Sequence, residues 1–84
     1  MRPADHINLL VLTPDKTLSE KLVSKVSLPG SKGRFMVLKN HAPMISSLEE
    51  GDVIFETGGR EERIHVMSGF AEVMDNKVTV CVEI

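Results

Sequence analysis

FAEVMDNKVTVCV, residues 70–82, is two alternating runs separated by Asp75-Asn76. Aspartate and asparagine both tolerate positive φ, so the pair suits a tight two-residue hairpin loop. That loop sets Val73 opposite Val78 and Ala71 opposite Val80, an uninterrupted apolar face. A two-stranded hairpin with one apolar face is not stable alone in water and needs a second layer to cover it. The rest of the chain supplies strands for that layer.

Upstream, residues 52–57 (DVIFET) put Val53 and Phe55 on one side, and residues 62–67 (ERIHVM) do the same with Ile64 and Val66. Gly58-Gly59-Arg60-Glu61 lies between them. A two-residue Gly-Gly loop would oppose Glu56 to Glu61 and Phe55 to Glu62. A four-residue loop would oppose Glu56 to Arg63, Phe55 to Ile64 and Val53 to Val66. Opposed charges help and like charges cost roughly 0.2–1 kcal/mol per cross-strand pair, so the longer loop is expected.

Residues 22–28 (LVSKVSL) read as one half-buried strand, with Leu22, Ser24, Val26 and Leu28 sharing a face. The apolar residues 7–12 (INLLVL) form a buried strand that stops at Thr13-Pro14-Asp15, because Pro14 fixes its own φ and biases Thr13 toward extended backbone. Residues 15–21 and 44–48 are two further short extended pieces, and Glu49-Glu50-Gly51-Asp52 is an acidic turn. No stretch carries a helical period. The expectation is an all-β, antiparallel sandwich or flattened barrel, a single domain over residues 1–84, with about seven or eight strands visible from pattern.

Composition narrows the function classes. Apolar residues make up 42% of the chain, with three Phe and no Trp or Tyr, so the core is aliphatic and offers no deep aromatic pocket. Twelve acids against ten bases give a net charge of −2, which argues against general nucleic-acid binding. Cys81 is the single cysteine, so no internal disulfide framework exists. The apolar run at residues 7–12 is too short for a signal h-region or a membrane span, and a cytosol-like setting is expected.

The candidates for chemistry are weak. Gly30-Ser31-Lys32-Gly33 has the wrong spacing for a phosphate loop and precedes an apolar run that reads as a strand. It is better read as a turn with solvated basic tips. His6, His41, His65 and Cys81 do not stand at metal-ligand spacing from one another. His65 reads as a solvent-facing strand residue, Cys81 as a small buried hydrophobe, and His41 as a loop residue able to hydrogen-bond nearby backbone. No serine has an activating motif, so an enzyme is not expected, and no catalytic residue, metal or cofactor is assigned. Lys32 and Arg34 project positive charge from one loop, either as an ordinary solvated turn or as a docking loop for an acidic or polar partner.

Residues 28–43, LPGSKGRFMVLKNHAP, carry a resemblance to a known family. Leu28-Pro29-Gly30-Ser31-Lys32-Gly33-Arg34-Phe35, then Val37-Leu38 and His41-Ala42-Pro43, resembles the N-terminal domain of the epsilon subunit of rotary F-type ATP synthases. Ser68-Gly69-Phe70-Ala71-Glu72-Val73 and Asn76-Lys77-Val78-Thr79-Val80 form a second matching block, and Val11-Leu12-Thr13-Pro14 a weaker third. Three positions depart from the pattern. Met36 stands where glycine is common, Asn40 replaces the glycine before the histidine, and Met67 replaces the first residue of serine-glycine-glycine. Asn40 can keep the left-handed backbone of the glycine it replaces.

The resemblance implies a β-sandwich of about ten short strands in the central rotor stalk. It implies a non-catalytic subunit that binds the gamma subunit, rests on the c-ring and couples proton flow to ATP synthesis. Ser31, Lys32, Gly33 and Arg34 would face the c-ring, and His41, Ala42 and Pro43 would lie near the gamma and c-ring contact. The subunit would be peripheral on the cytoplasmic face of the bacterial inner membrane, reaching the membrane only through the c-ring. Family members continue into two C-terminal helices. A chain ending at Ile84 is expected to lack them, and with them any nucleotide site. The alternative is a free-standing β-sandwich binding or adaptor module.

Overall fold

The computed structural model of the protein describes residues 6–84. Among them lie nine strands and no helix: β1 (Ile7–Leu12), β2 (Thr17–Val23), β3 (Lys25–Leu28), β4 (Phe35–Val37), β5 (Met44–Leu48), β6 (Gly51–Thr57), β7 (Arg60–Val66), β8 (Ser68–Met74) and β9 (Lys77–Glu83). They form a five-stranded sheet in the order β2-β1-β9-β8-β5 and a four-stranded sheet in the order β4-β3-β6-β7. The β1–β9 pairing is parallel, and every other pairing is antiparallel. The architecture is the expected all-β sandwich, with nine strands described against the ten implied by resemblance.

The inward faces meet in a single aliphatic cluster. Ile7, Leu9 and Val11 of β1, Val78, Val80 and Val82 of β9, and Val53 and Phe55 of β6 are all within 3% of complete burial. No polar or charged residue is buried among the described residues, so apolar burial holds the two layers together. The β8–β9 hairpin has the expected register, with Val73 opposite Val78 and Ala71 opposite Val80. Asp75 and Asn76 make its turn at φ 51° and 60°.

Two expectations are corrected. Residues 22–28 are two strands in different sheets, with a bend at Ser24. In one strand Val23 and Val26 would face opposite ways. The bend moves the chain from the first sheet to the second, so both point inward and both are fully buried, while Leu22 turns out to solvent. Ser24 is fixed to β6 at this corner, its N–H donating to the Glu56 carbonyl at 2.9 Å and its hydroxyl to Glu56 Oε1 at 2.8 Å.

The β6–β7 hairpin has the short Gly58-Gly59 loop, pairing Glu56 with Glu61, Phe55 with Glu62 and Val53 with Ile64. Both glycines take positive φ, 59° and 78°, the twist that matches two flanking strands. The feared like-charge opposition is relieved by other partners. Glu61 pairs with Arg63 at 2.8 Å, and Glu62 with Lys21 of β2 at 3.1 Å.

Smaller differences follow the same logic. β4 stops at Val37, leaving Leu38 half exposed, and β7 stops at Val66, where Met67 turns outward as the chain crosses sheets. Cys81 is half-buried on the outer face of the five-stranded sheet, between its strand partners Leu12 and Phe70, outside the core.

Candidate docking site

The two loop segments that the sequence singles out flank β5 at opposite ends, with the base of the Gly30–Gly33 turn beside Ser47 and Leu48 and His41-Ala42-Pro43 just before Met44. Gly30-Ser31-Lys32-Gly33 is a hydrogen-bonded turn, with the Gly33 N–H donating to the Gly30 carbonyl at 3.0 Å. Its base is welded across the two sheets. The Ser31 N–H donates to the Ser47 carbonyl at 3.0 Å and the Glu49 N–H to the Pro29 carbonyl at 2.9 Å, either side of an antiparallel bridge between Gly30 and Leu48. The Ser47 hydroxyl also donates to Ser31 Oγ at 3.0 Å. Backbone pairing on both sides makes the turn rigid at its base.

The two cations of this loop have different environments. Arg34 folds back onto the four-stranded sheet, donating from Nη1 to Ser27 Oγ at 2.9 Å and from Nη2 to the Asp52 carbonyl at 2.7 Å. Its guanidinium lies over Gly51, where an added Cβ would stand 3.6 Å from Nη2 and 2.9 Å from Pro29 Cβ. Lys32 is exposed at the turn and has no hydrogen bond or ion pair among the described residues. Thus Lys32 presents the free charge, and Arg34 fastens the loop to β3 and the start of β6.

The second candidate segment, His41-Ala42-Pro43, lies in the connection from β4 to β5. The carbonyl of Ala42 can only accept, so His41 Nδ1 carries a proton and donates to it at 2.6 Å. Asn40 before it has φ 68°, the left-handed backbone expected of a glycine replacement. Asn76 in the β8–β9 turn holds Asn40 from the other sheet's end. Its Oδ1 accepts from the Asn40 N–H at 2.6 Å, and its Nδ2 donates to Asn40 Oδ1 at 3.2 Å. Sequence reasoning singled out Asn76 only as a turn former. Its grip on a loop 36 residues away leaves no local signal.

Between the turn and β5 runs a groove of about 420 Å³, lined by Lys32, Gly33, Phe35, Met44, Ile45, Ser46 and Ser47. Its polar groups are one ammonium and serine hydroxyls, with no carboxylate or imidazole to act as a base. His65 stands elsewhere, on the outer face of the four-stranded sheet, between Asp52 Oδ1 at 2.8 Å and Glu50 Oε2 at 3.2 Å. Those two bonds raise its pKa, Asp52 contributing most, and the same bond lowers the pKa of Asp52. Among the described residues no group of three or more His, Cys, Asp or Glu could hold a metal ion.

These features define a two-sheet β-sandwich whose distinguishing surface is a basic turn tied at its base to both sheets. The sequence profile described as "ATP synthase, Delta/Epsilon chain, beta-sandwich domain" matches residues 6–84. The chain belongs to that family. It is 43% identical to the ATP synthase epsilon chain of Nitratidesulfovibrio vulgaris (strain DSM 19637 / Miyazaki F), covering 92% of this chain and 58% of that protein. The ATP synthase epsilon chain of Maridesulfovibrio salexigens is 40% identical over 96% of this chain and 57% of its own length. The chain therefore spans a little under three-fifths of these relatives. A chain in the cryo-EM structure of the Euglena gracilis mitochondrial ATP synthase (OSCP/F1/c-ring, rotational state 1) superposes with a TM-score of 0.86 at 25% identity, covering 98% of this chain and 52% of that one.

Proposed function

We propose that this chain acts as the β-sandwich part of an ATP synthase epsilon subunit, a non-catalytic component of the central stalk. In this reading it links the gamma subunit to the c-ring and couples proton flow through the membrane to ATP synthesis performed elsewhere in the complex. Ser31, Lys32, Gly33 and Arg34 form the end that meets the c-ring, and His41, Ala42 and Pro43 lie at the contact of the gamma subunit with the ring. The chain sits on the cytoplasmic face of a bacterial inner membrane and reaches the membrane only through the ring.

The observation that carries the reading is the unpaired Lys32 on a turn fixed at its base to both sheets. A coupling element must transmit force, and a cation on a rigid support docks with less ordering cost than one on a mobile loop. Opposite charge on the partner would set orientation and association rate more than raw affinity.

The test is Lys32→Glu in the intact ATP synthase. Proton-driven ATP synthesis and retention of the catalytic sector on the membrane are both expected to fall, more steeply as salt rises. Unchanged coupling in a complex that contains the variant would remove this turn from the interface.

A further inference from the structure

A sandwich of two open sheets has four edge strands, and natural proteins blunt such edges with charge, proline or brevity. Here β2 carries Glu20 and Lys21, β7 carries Arg60, Glu61, Glu62, Arg63 and His65, and β4 is only three residues long. β5, Met-Ile-Ser-Ser-Leu, has none of these protections. Its Ile45 is also 72% exposed, the most exposed of the large apolar residues among those described.

The hydrogen bonds around β5 show which of its backbone groups are open. Ser47 directs its carbonyl at Ser31, away from the partner strand β8. Along an antiparallel strand the direction of the backbone groups alternates, so Ile45 also points its N–H and C=O away from β8, as Ser47 does its N–H. Among the described residues only 29–31 cover this edge, at its C-terminal end. The open groups of Ile45 face the groove between β5 and the turn. Phe35 and Met44, half-buried and packed against the core, form its floor, and Lys32 stands on its rim.

We infer that the open edge of β5 takes an extended segment of a partner protein, which adds a short strand to the five-stranded sheet. The segment bonds to the Ile45 N–H and C=O, places an apolar side chain over Phe35 and Met44, and sets a carboxylate against Lys32. No acid lines the groove, so the charge requirement is one-sided. This inference rests on the stalk-subunit reading for where the partner is found.

The test is amide hydrogen exchange at Ile45 and Ser47, compared between the free chain and the chain assembled into the intact ATP synthase. Slowing by about tenfold or more at Ile45 is expected, the signature of a new backbone bond, with Ser47 beside the covered end as the reference amide. A matched arm uses Ile45→Pro against Ile45→Val. Proline deletes an outward N–H that the fold itself does not use, so the free chain should keep its melting temperature while assembly weakens about tenfold. Exchange at the free-chain rate in an assembled complex overturns the strand addition and leaves the stalk reading intact. Failure of the wild-type chain to assemble overturns both. A concentration-dependent dimer of the free chain that protects the Ile45 amide reassigns the edge to a second copy and overturns the partner segment.

Discussion

Asn76 and Asn40 bond to each other in both directions, joining the β8–β9 turn to the loop that carries His41. The Asn76 side chain accepts from the Asn40 N–H at 2.6 Å and donates to the Asn40 side chain at 3.2 Å. Asn76 also offers its carbonyl to the Asn8 N–H at 2.9 Å, so one turn residue ties β1, β9 and the β4–β5 connection. Replacing Asn76 by glycine keeps the positive φ of 60° and removes the two side-chain bonds. We expect a loss of about 1 kcal/mol in denaturant unfolding. The amides of Asn40 and His41 should exchange faster, while those of β9 should not. Asn76→Ala should cost about 1–2 kcal/mol more, because alanine resists left-handed backbone.

The division of labour between Lys32 and Arg34 gives a second prediction. Arg34→Ala should destabilise the isolated chain by about 1 kcal/mol, since its two bonds to Ser27 and Asp52 lie at an exposed surface. Lys32→Ala should leave stability within about 0.5 kcal/mol of wild type, as expected for a surface residue with no partner. In the assembled complex the order reverses, with Lys32→Ala the more damaging to salt-sensitive association. Equal thermal shifts for the two variants would show that Arg34 is not the clamp.

How far these assignments were legible depends on the range of the interaction. Period-two alternation gave the β8–β9 hairpin its correct register, because Asp75-Asn76 and the apolar face of Ala71, Val73, Val78 and Val80 agree locally. The same pattern misread residues 22–28. Alternation cannot see that Ser24 is a corner held by Glu56, 32 residues away. Charge pairing misread the β6–β7 loop for a related reason. Glu62 is satisfied by Lys21 on a strand of the other sheet, so local repulsion did not decide the register. In the loop after β3, Lys32 and Arg34 look alike in sequence, and only the position of Ser27 and of the Asp52 carbonyl separates them.

The short β6–β7 loop makes a third prediction. Gly58 has φ 59°, and a Cβ added there would meet no atom within 4 Å, so substitution costs backbone strain without a clash. Gly58→Ala should therefore destabilise by about 1–2 kcal/mol, and Gly58→Asn by clearly less, since asparagine visits this region more readily. Chemical denaturation of the two variants checks the order. Equal losses would show that the two-residue turn does not hold in solution.

His65 supplies the pH dependence. Both of its ring nitrogens face carboxylate oxygens, Nδ1 toward Asp52 and Nε2 toward Glu50, so both carry protons and the ring is cationic when both bonds are made. Arg63 also donates to Asp52, from Nη1 to Oδ2 at 3.3 Å, and keeps that carboxylate ionised beside the ring. The pKa of His65 is raised above the ordinary 6.5, first by the Asp52 bond and then by Glu50. A raised folded-state value means that the stabilisation is fully present below the unfolded value and is lost as pH rises through the folded one. Asp52 behaves oppositely. Its lowered pKa gives stability that is present above its ordinary 3.8 and lost as pH falls through the folded value. The clip between the β5–β6 turn and β7 is therefore tightest between those two limits. An NMR titration of the His65 ring should show a midpoint above 6.5, and Asp52→Asn should bring it down further than Glu50→Gln does. A wild-type midpoint at or below 6.5 would mean that the two carboxylates do not hold the ring in solution.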